Sequence, residues 1–163
     1  MLLPILNFAC QQNKKELDQP VEVQITDIRL GKIQNTTYQY LFKKVNQYKT
    51  IFIYTDTTEK PPIENFSYHL VADKEDSKQL IFDEHSCSLV DSLKINSYTI
   101  YKYDYNDKGA IDEELFIYFN PELGFLGYQE KAWDGGIAVK GLPIDITNNL
   151  ISDTSCFFQP NCF

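Results

Sequence analysis

Asp83-Glu84-His85-Ser86-Cys87 is where reactive side chains crowd most densely. A thiol, an imidazole and two carboxylates are the ingredients of a cysteine nucleophile with its base and an orienting group. Such a set works only when its members meet in space. His85 and Cys87 share a face if the chain is extended, and diverge if a helix begins at Ser86. No strand–turn–helix elbow and no Gly-rich oxyanion loop surrounds them. The expected role is therefore a solvated helix entrance with acids near its positive end, and no catalytic residue is assigned. The competing expectation is a cysteine-dependent hydrolase built on His85 and Cys87.

Other chemistry has less to stand on. His69 and His85 are the only two histidines, and neither HExxH nor CxxC spacing occurs, so no metal site is expected. Asp104-Tyr105-Asn106-Asp107-Lys108-Gly109 resembles the opening of a calcium loop. Its fifth position is Lys108, and its twelfth is Leu115, where a bidentate Glu is required. An acidic hairpin loop bending at Gly109 is the expectation there. No Gly-rich phosphate cradle is present, and no cofactor is implied. Between Asp56 and Asp91, nine acids stand against three lysines, which reads as a solvated face.

The N-terminus carries a different chemistry. Leu2-Leu3-Pro4-Ile5-Leu6-Asn7-Phe8-Ala9 is apolar and uncharged, and Cys10 is followed by polar Gln11-Gln12-Asn13. This resembles the end of a bacterial lipoprotein signal peptide, in which a small residue precedes the Cys that is lipidated. Asn7 stands where that family usually has Leu, and the n-region has no basic side chain. The resemblance implies palmitoylation at Cys10 and a membrane held through that lipid anchor. Gln11 in place of Asp implies sorting to the outer membrane. The expected organisation is residues 1–10 as signal-like segment, 11–20 as tether, and 21–163 as one antiparallel β domain. The expected location is the cell envelope, as an outer-membrane lipoprotein or in the periplasm.

The elements that would position any site read as strands. Leu115–Phe119 is an apolar and aromatic run, Asn120-Pro121-Glu122-Leu123-Gly124 carries turn chemistry, and Phe125, Leu126 and Tyr128 resume the pattern. An antiparallel hairpin follows, with Gly124 free to take positive φ. Gly127 predicts a bulge or a close backbone approach. Asp134-Gly135-Gly136 predicts a second turn, with Trp133 as a core or rim anchor whose ring covers the end of the sheet. Val21, Val23 and Ile25 alternate with polar residues, as a half-buried strand does, and Gly31 ends that run. Thr37–Val45, Tyr48–Tyr54, Phe66–Val71 and Leu80–Phe82 are further strand candidates. Ser86–Leu93 predicts the single short helix, with Leu89, Val90 and Leu93 at helical spacing. Ser97–Tyr105 predicts a strand with Thr99, Tyr101, Tyr103 and Tyr105 on one face. The tail from Asn148 reads as irregular. Cys156 and Cys162 are candidates for a small disulfide ring that pins Phe157 and Phe158 to the core, with Cys87 either left free or paired with a tail cysteine. The fold class is mainly β, an antiparallel sandwich or partly closed barrel with one short helix.

Composition bounds the function. The chain has 163 residues, of which 43% are hydrophobic, enough for one domain with a core. Net charge is −8 and pI about 4.7, which repels nucleic acid and anionic membrane faces. The expected function is a non-enzymatic binding or structural role at the envelope. Its ligand or protein partner is unidentified, with a groove for an apolar or sugar-like ligand drawn from Tyr101, Tyr103, Phe116, Tyr118, Tyr128 and Trp133. The alternative within that class is a lipid-carrying half-barrel, which requires an apolar cavity behind Tyr101 and Tyr118.

Overall fold

The computed structural model describes residues 19–59, 66–76, 78–106, 114–153 and 155–159. The expectations attached to Cys10, to Cys162 and to the Asp107–Gly109 bend lie outside the described residues. Ten strands follow one another: β1 (Val21–Arg29), β2 (Lys32–Val45), β3 (Lys49–Thr55), β4 (Tyr68–Asp73), β5 (Gln79–Phe82), β6 (His85–Ile95), β7 (Tyr98–Tyr105), β8 (Leu115–Asn120), β9 (Gly124–Glu130) and β10 (Gly135–Lys140). Each pairs antiparallel with its neighbours in sequence, and β1 pairs with β10, so the meander closes into a barrel. Closure removes the sheet edges that a sandwich would leave. The β2–β3 ladder runs only from Tyr40 to Val45, so the first half of β2 pairs with β1 alone among the described residues.

Because strands alternate in direction, the turns divide into two ends. Val21 opens β1 at what we call the entry end, together with the β8–β9 turn. The β1–β2, β5–β6 and β9–β10 turns form the far end. The β8–β9 hairpin is as expected: Asn120 pairs with Gly124, and Asn120 Oδ1 accepts the Glu122 and Leu123 N–H groups at 2.9 Å each. Gly124 adopts φ +94. At Gly127 the backbone of β10 comes so close that a Cβ would collide with the Ile137 carbonyl oxygen.

The apolar side chains form two layers. Val23, Ile25, Leu41, Phe52, Tyr54, Leu70, Leu80, Phe82, Tyr103, Ile117, Phe119, Phe125 and Val139 fill the barrel. Phe52 meets Phe119 edge-on at 5.4 Å, and Tyr54 meets Phe125 at 5.9 Å, the edge-to-face packing that ring quadrupoles favour. Outside the wall, Ile100, Phe116, Tyr118, Leu126 and Ala138 are covered by Ile144, Ile146, Leu150, Phe157 and Phe158 of the C-terminal segment. The tail phenylalanines thus pack as the sequence suggests, with Tyr118 and Phe158 rings 5.1 Å apart.

Two sequence expectations are corrected. Ser86–Leu93 is part of strand β6, and the helix lies instead at Thr147–Ser152. A register shift in β6 between Leu89 and Asp91 explains the helix-like spacing. Leu89 packs into the barrel, Val90 is taken up by the bulge, and Leu93 then faces the outer layer. One inserted residue switches faces and breaks the period of two. The helix, α1 (Thr147–Ser152), has a poor intrinsic sequence, Thr-Asn-Asn-Leu-Ile-Ser, and so leaves little trace in the pattern. It is held by burial of Leu150 and by Asp145, whose Oδ1 accepts the Thr147 N–H at 2.8 Å. Trp133 is the second correction: it is 60% exposed in the β9–β10 turn, so its ring does not anchor the rim.

Candidate functional site

The far end of the barrel gathers charged and hydroxyl-bearing side chains around an aromatic cluster. Val23, Ile25 and Asp27 alternate on the inner face of β1, and Asp27 lies opposite Ile137, which lies opposite Tyr128. Tyr68, at the start of β4, faces the same space: its ring is 5.2 Å from Phe125 and 6.0 Å from Phe82, the latter stacked. Phe125 is in turn 6.4 Å from Tyr128. Phe82 and Phe125 are sealed in the core beneath Tyr68 and Tyr128, which are half-buried.

Two oxygens accept no hydrogen bond, Asp27 Oδ1, in a side chain that is 41% exposed, and Gln39 Oε1, on β2 opposite Val23. The Asp27 carboxylate is 3.4 Å from Arg29 Nε, an ionic contact without hydrogen-bond geometry. Gln39 donates its amide to Ser67 Oγ at 2.8 Å, and only its oxygen is left over. At the rim, Arg29 Nη1 meets Glu130 Oε2 at 2.7 Å. That pair lies over Gly135, where a Cβ would be 2.5 Å from the guanidinium. Burial, then the nearby Tyr128 hydroxyl and the Asp83 and Asp27 carboxylates, push the Tyr68 hydroxyl above its ordinary range. Tyr128 is raised by burial and by Glu130, against the pull of Arg29. Both hydroxyls therefore stay protonated at neutral pH.

The Asp83–Cys87 cluster borders this end with a geometry of its own. The β5–β6 turn puts Asp83 and Glu84 at φ +43 and +75, and Asp83 Oδ1 accepts the His69 N–H at 2.7 Å. His85 is exposed, and its Nδ1 is 2.8 Å from the Tyr105 hydroxyl. Cys87 is buried, with Sγ 3.8 Å from the His85 carbonyl oxygen. The stretch is extended, as a shared face requires, yet the imidazole meets the Tyr105 hydroxyl. Burial pushes the Cys87 thiol up to about 12. A thiol so placed is protonated at neutral pH and is a poor nucleophile. Among the described residues no three His, Cys, Asp or Glu side chains converge to hold a metal ion.

The proposed groove residues do not meet on one surface. Tyr101, Tyr103 and Tyr128 face the barrel interior, whereas Phe116 and Tyr118 face the outer layer. The wall itself stands between Tyr101 and Tyr118, so no single cavity lies behind both. Among the described residues Cys87 and Cys156 form no disulfide, and one is buried and the other exposed. Lys102, on the outer face of β7, is 1% exposed, with Nζ 4.0 Å from the Phe116 ring centroid and 3.4 Å from the Cys156 carbonyl oxygen.

Sequence reasoning found Tyr128 and missed Asp27, Gln39 and Tyr68. A signal existed for Asp27, which continues the Val21, Val23, Ile25 face with a charge. No protein-family model, curated protein or solved structure matches this chain.

Proposed function

We propose that this chain is a membrane-tethered binding domain of the bacterial cell envelope, which holds a small ligand in the far mouth of its barrel and performs no chemistry on it. The observation that carries the reading is the far mouth itself, where half-buried Tyr68 and Tyr128 share the opening with Asp27, whose Oδ1 accepts no hydrogen bond and lies 3.4 Å from Arg29 Nε. Barrel mouths are frequent ligand sites, and a few convergent polar groups over an apolar floor are their usual chemistry. The tether reading rests on the lipobox-like run that ends at Cys10. The protonated thiol of Cys87 argues against the hydrolase alternative.

Two measurements test this. Palmitate labelling in a Gram-negative host marks the full chain, and Cys10→Ala abolishes the label; an unlabelled wild type ends the anchoring claim. A fragment screen read by tyrosine ring resonances shifts Tyr68 and Tyr128 together. A screen whose hits leave both rings unmoved ends the binding claim.

A further inference from the structure

We infer that two copies of this chain pair edge to edge through the first half of β2, strand against strand, across a two-fold axis at Thr36. β2 outruns its neighbour on one side. Its ladder with β3 stops at Tyr40, and every residue from Lys32 to Tyr38 is exposed. Among the described residues only β1 pairs with this stretch.

The direction of the backbone groups follows from the alternation of an antiparallel ladder. The Asn46 N–H donates to the Lys49 carbonyl at 3.0 Å, so the Asn46 backbone faces β3. Steps of two carry that orientation back through Tyr40 to Tyr38 and Thr36, where β3 has already ended. There the Thr36 N–H is taken up by the side chain next to it, Asn35 Oδ1, at 2.9 Å. An open row of this kind can accept another strand. Proteins blunt such edges with charge, proline or a bulge. Beyond Ser88, β6 also pairs on one side alone among the described residues, and there it bulges at Val90 and carries Asp91 and Lys94. The β2 edge shifts register near Gln34, but Asn35-Thr36-Thr37-Tyr38 has no charge and no proline.

The side chains say what fits. Ile33 lies opposite Ile28, and Tyr38 opposite Gln24, which puts both on the outer face of the wall. They are 48% and 61% exposed, and they stand on either side of Thr36. An antiparallel copy centred on Thr36 brings Tyr38 of each chain beside Gln34 and Ile33 of the other. Both exposed apolar side chains are then covered, and a threonine pair, favourable across strands, sits at the centre. Lys32 lies beyond the paired stretch, so no like charges are set opposite one another. An isologous contact needs one self-complementary patch, and this edge is one. The stretch is short, which makes the dimer weak and dependent on concentration. Nothing in the contact depends on what the mouth holds.

The test uses the full chain carrying Cys10→Ala, so that no lipid drives association. Sedimentation equilibrium is run up to about 1 mM protein, where a weak dimer still registers. A monomer–dimer equilibrium is expected, tightening as salt screens the −8 charge on each copy. Thr36→Lys sets like charges opposite each other. It is expected to weaken the dimer about tenfold or more with Tm unchanged, because Thr36 is exposed in the monomer. In a hydrogen-bonded pair the two Cα atoms at this position are about 5.5 Å apart, within reach of a disulfide. Thr36→Cys is therefore expected to oxidise to a dimer whose cross-link joins that position to itself by peptide mapping. A monomer at every concentration overturns the second copy and leaves the edge to a strand of another protein. A dimer that Thr36→Lys leaves as tight, that weakens as salt is raised, or whose cross-link maps elsewhere overturns the pairing through β2.

Discussion

Replacing Tyr54 by Phe tests the packing logic of the barrel most directly. Tyr54 is fully buried, and its hydroxyl reaches across the lumen from β3 to β9. It donates to the Phe125 carbonyl at 3.1 Å and accepts the Phe125 N–H at 3.0 Å. One oxygen thus serves both backbone groups of a residue beside the β8–β9 turn. Phenylalanine keeps the ring and its contacts with Phe125 and Tyr68, at 5.9 and 6.4 Å. What is lost is the partner of two buried groups, each worth about 1–3 kcal/mol when left unpaired. The expected destabilisation is about 3 kcal/mol, or a fall of roughly 6–12 °C in Tm for a domain of this size. Tyr118→Phe is the comparison. Its hydroxyl is 3.3 Å from both Gln129 Oε1 and Phe157 O, so one proton is shared over two long contacts. It should cost about 1 kcal/mol. Urea unfolding measures both, with the slope unchanged and the midpoint moved. The reasoning fails if Tyr54→Phe costs less than Tyr118→Phe, or stays under about 0.5 kcal/mol, a size within the scatter of surface substitutions.

Gly127→Ala drives a methyl into the Ile137 carbonyl oxygen and against Ala138 Cα, both backbone atoms that cannot swing aside. The loss is on the order of 3 kcal/mol or more, and a Tm within a degree of wild type would show that β9 and β10 separate freely. Of the two described thiols, Cys156 is exposed and Cys87 is buried with its pKa pushed up to about 12. Iodoacetamide on the native chain at pH 8 should label Cys156 and spare Cys87 by peptide mapping, and rapid labelling of Cys87 refutes its burial. Burial raises the Asp83 pKa above its ordinary value despite the His69 N–H bond. A raised folded-state pKa means that the folded chain holds this proton more tightly than the unfolded one. Asp83 therefore costs stability at neutral pH and recovers it as pH falls through the raised value. Asp83→Asn should accordingly gain on wild type at pH 7, with the gap narrowing towards about pH 4, near the ordinary Asp pKa. Unfolding curves of both chains across that range check it, and a gap that widens on acidification reverses the sign of the argument.

Alternation along Val21–Thr26 and Ser97–Tyr105, and the turn chemistry of Gly31 and Asn120–Gly124, made the antiparallel β character readable from the chain alone, because side chains of a strand point to opposite faces and turns need particular backbone angles. The same local rule failed at β6, where a bulge at Val90 imitates helical spacing, and at α1, whose sequence has little helical preference and is held by packing. Nor could it say which face points inward. Ile100, Phe116, Tyr118 and Leu126 are as apolar as Tyr103, Ile117, Phe119 and Phe125. The choice was made by the tail that covers the first set and by the β1–β10 ladder that encloses the second. The mouth belongs to the tertiary structure for the same reason. Asp27, Tyr68 and Tyr128 lie on three strands, the outermost about a hundred residues apart, and only closure of the barrel turns their separate alternations toward one opening. Sequence determines what each strand can offer to either side; the long-range pairing decides which side becomes the inside.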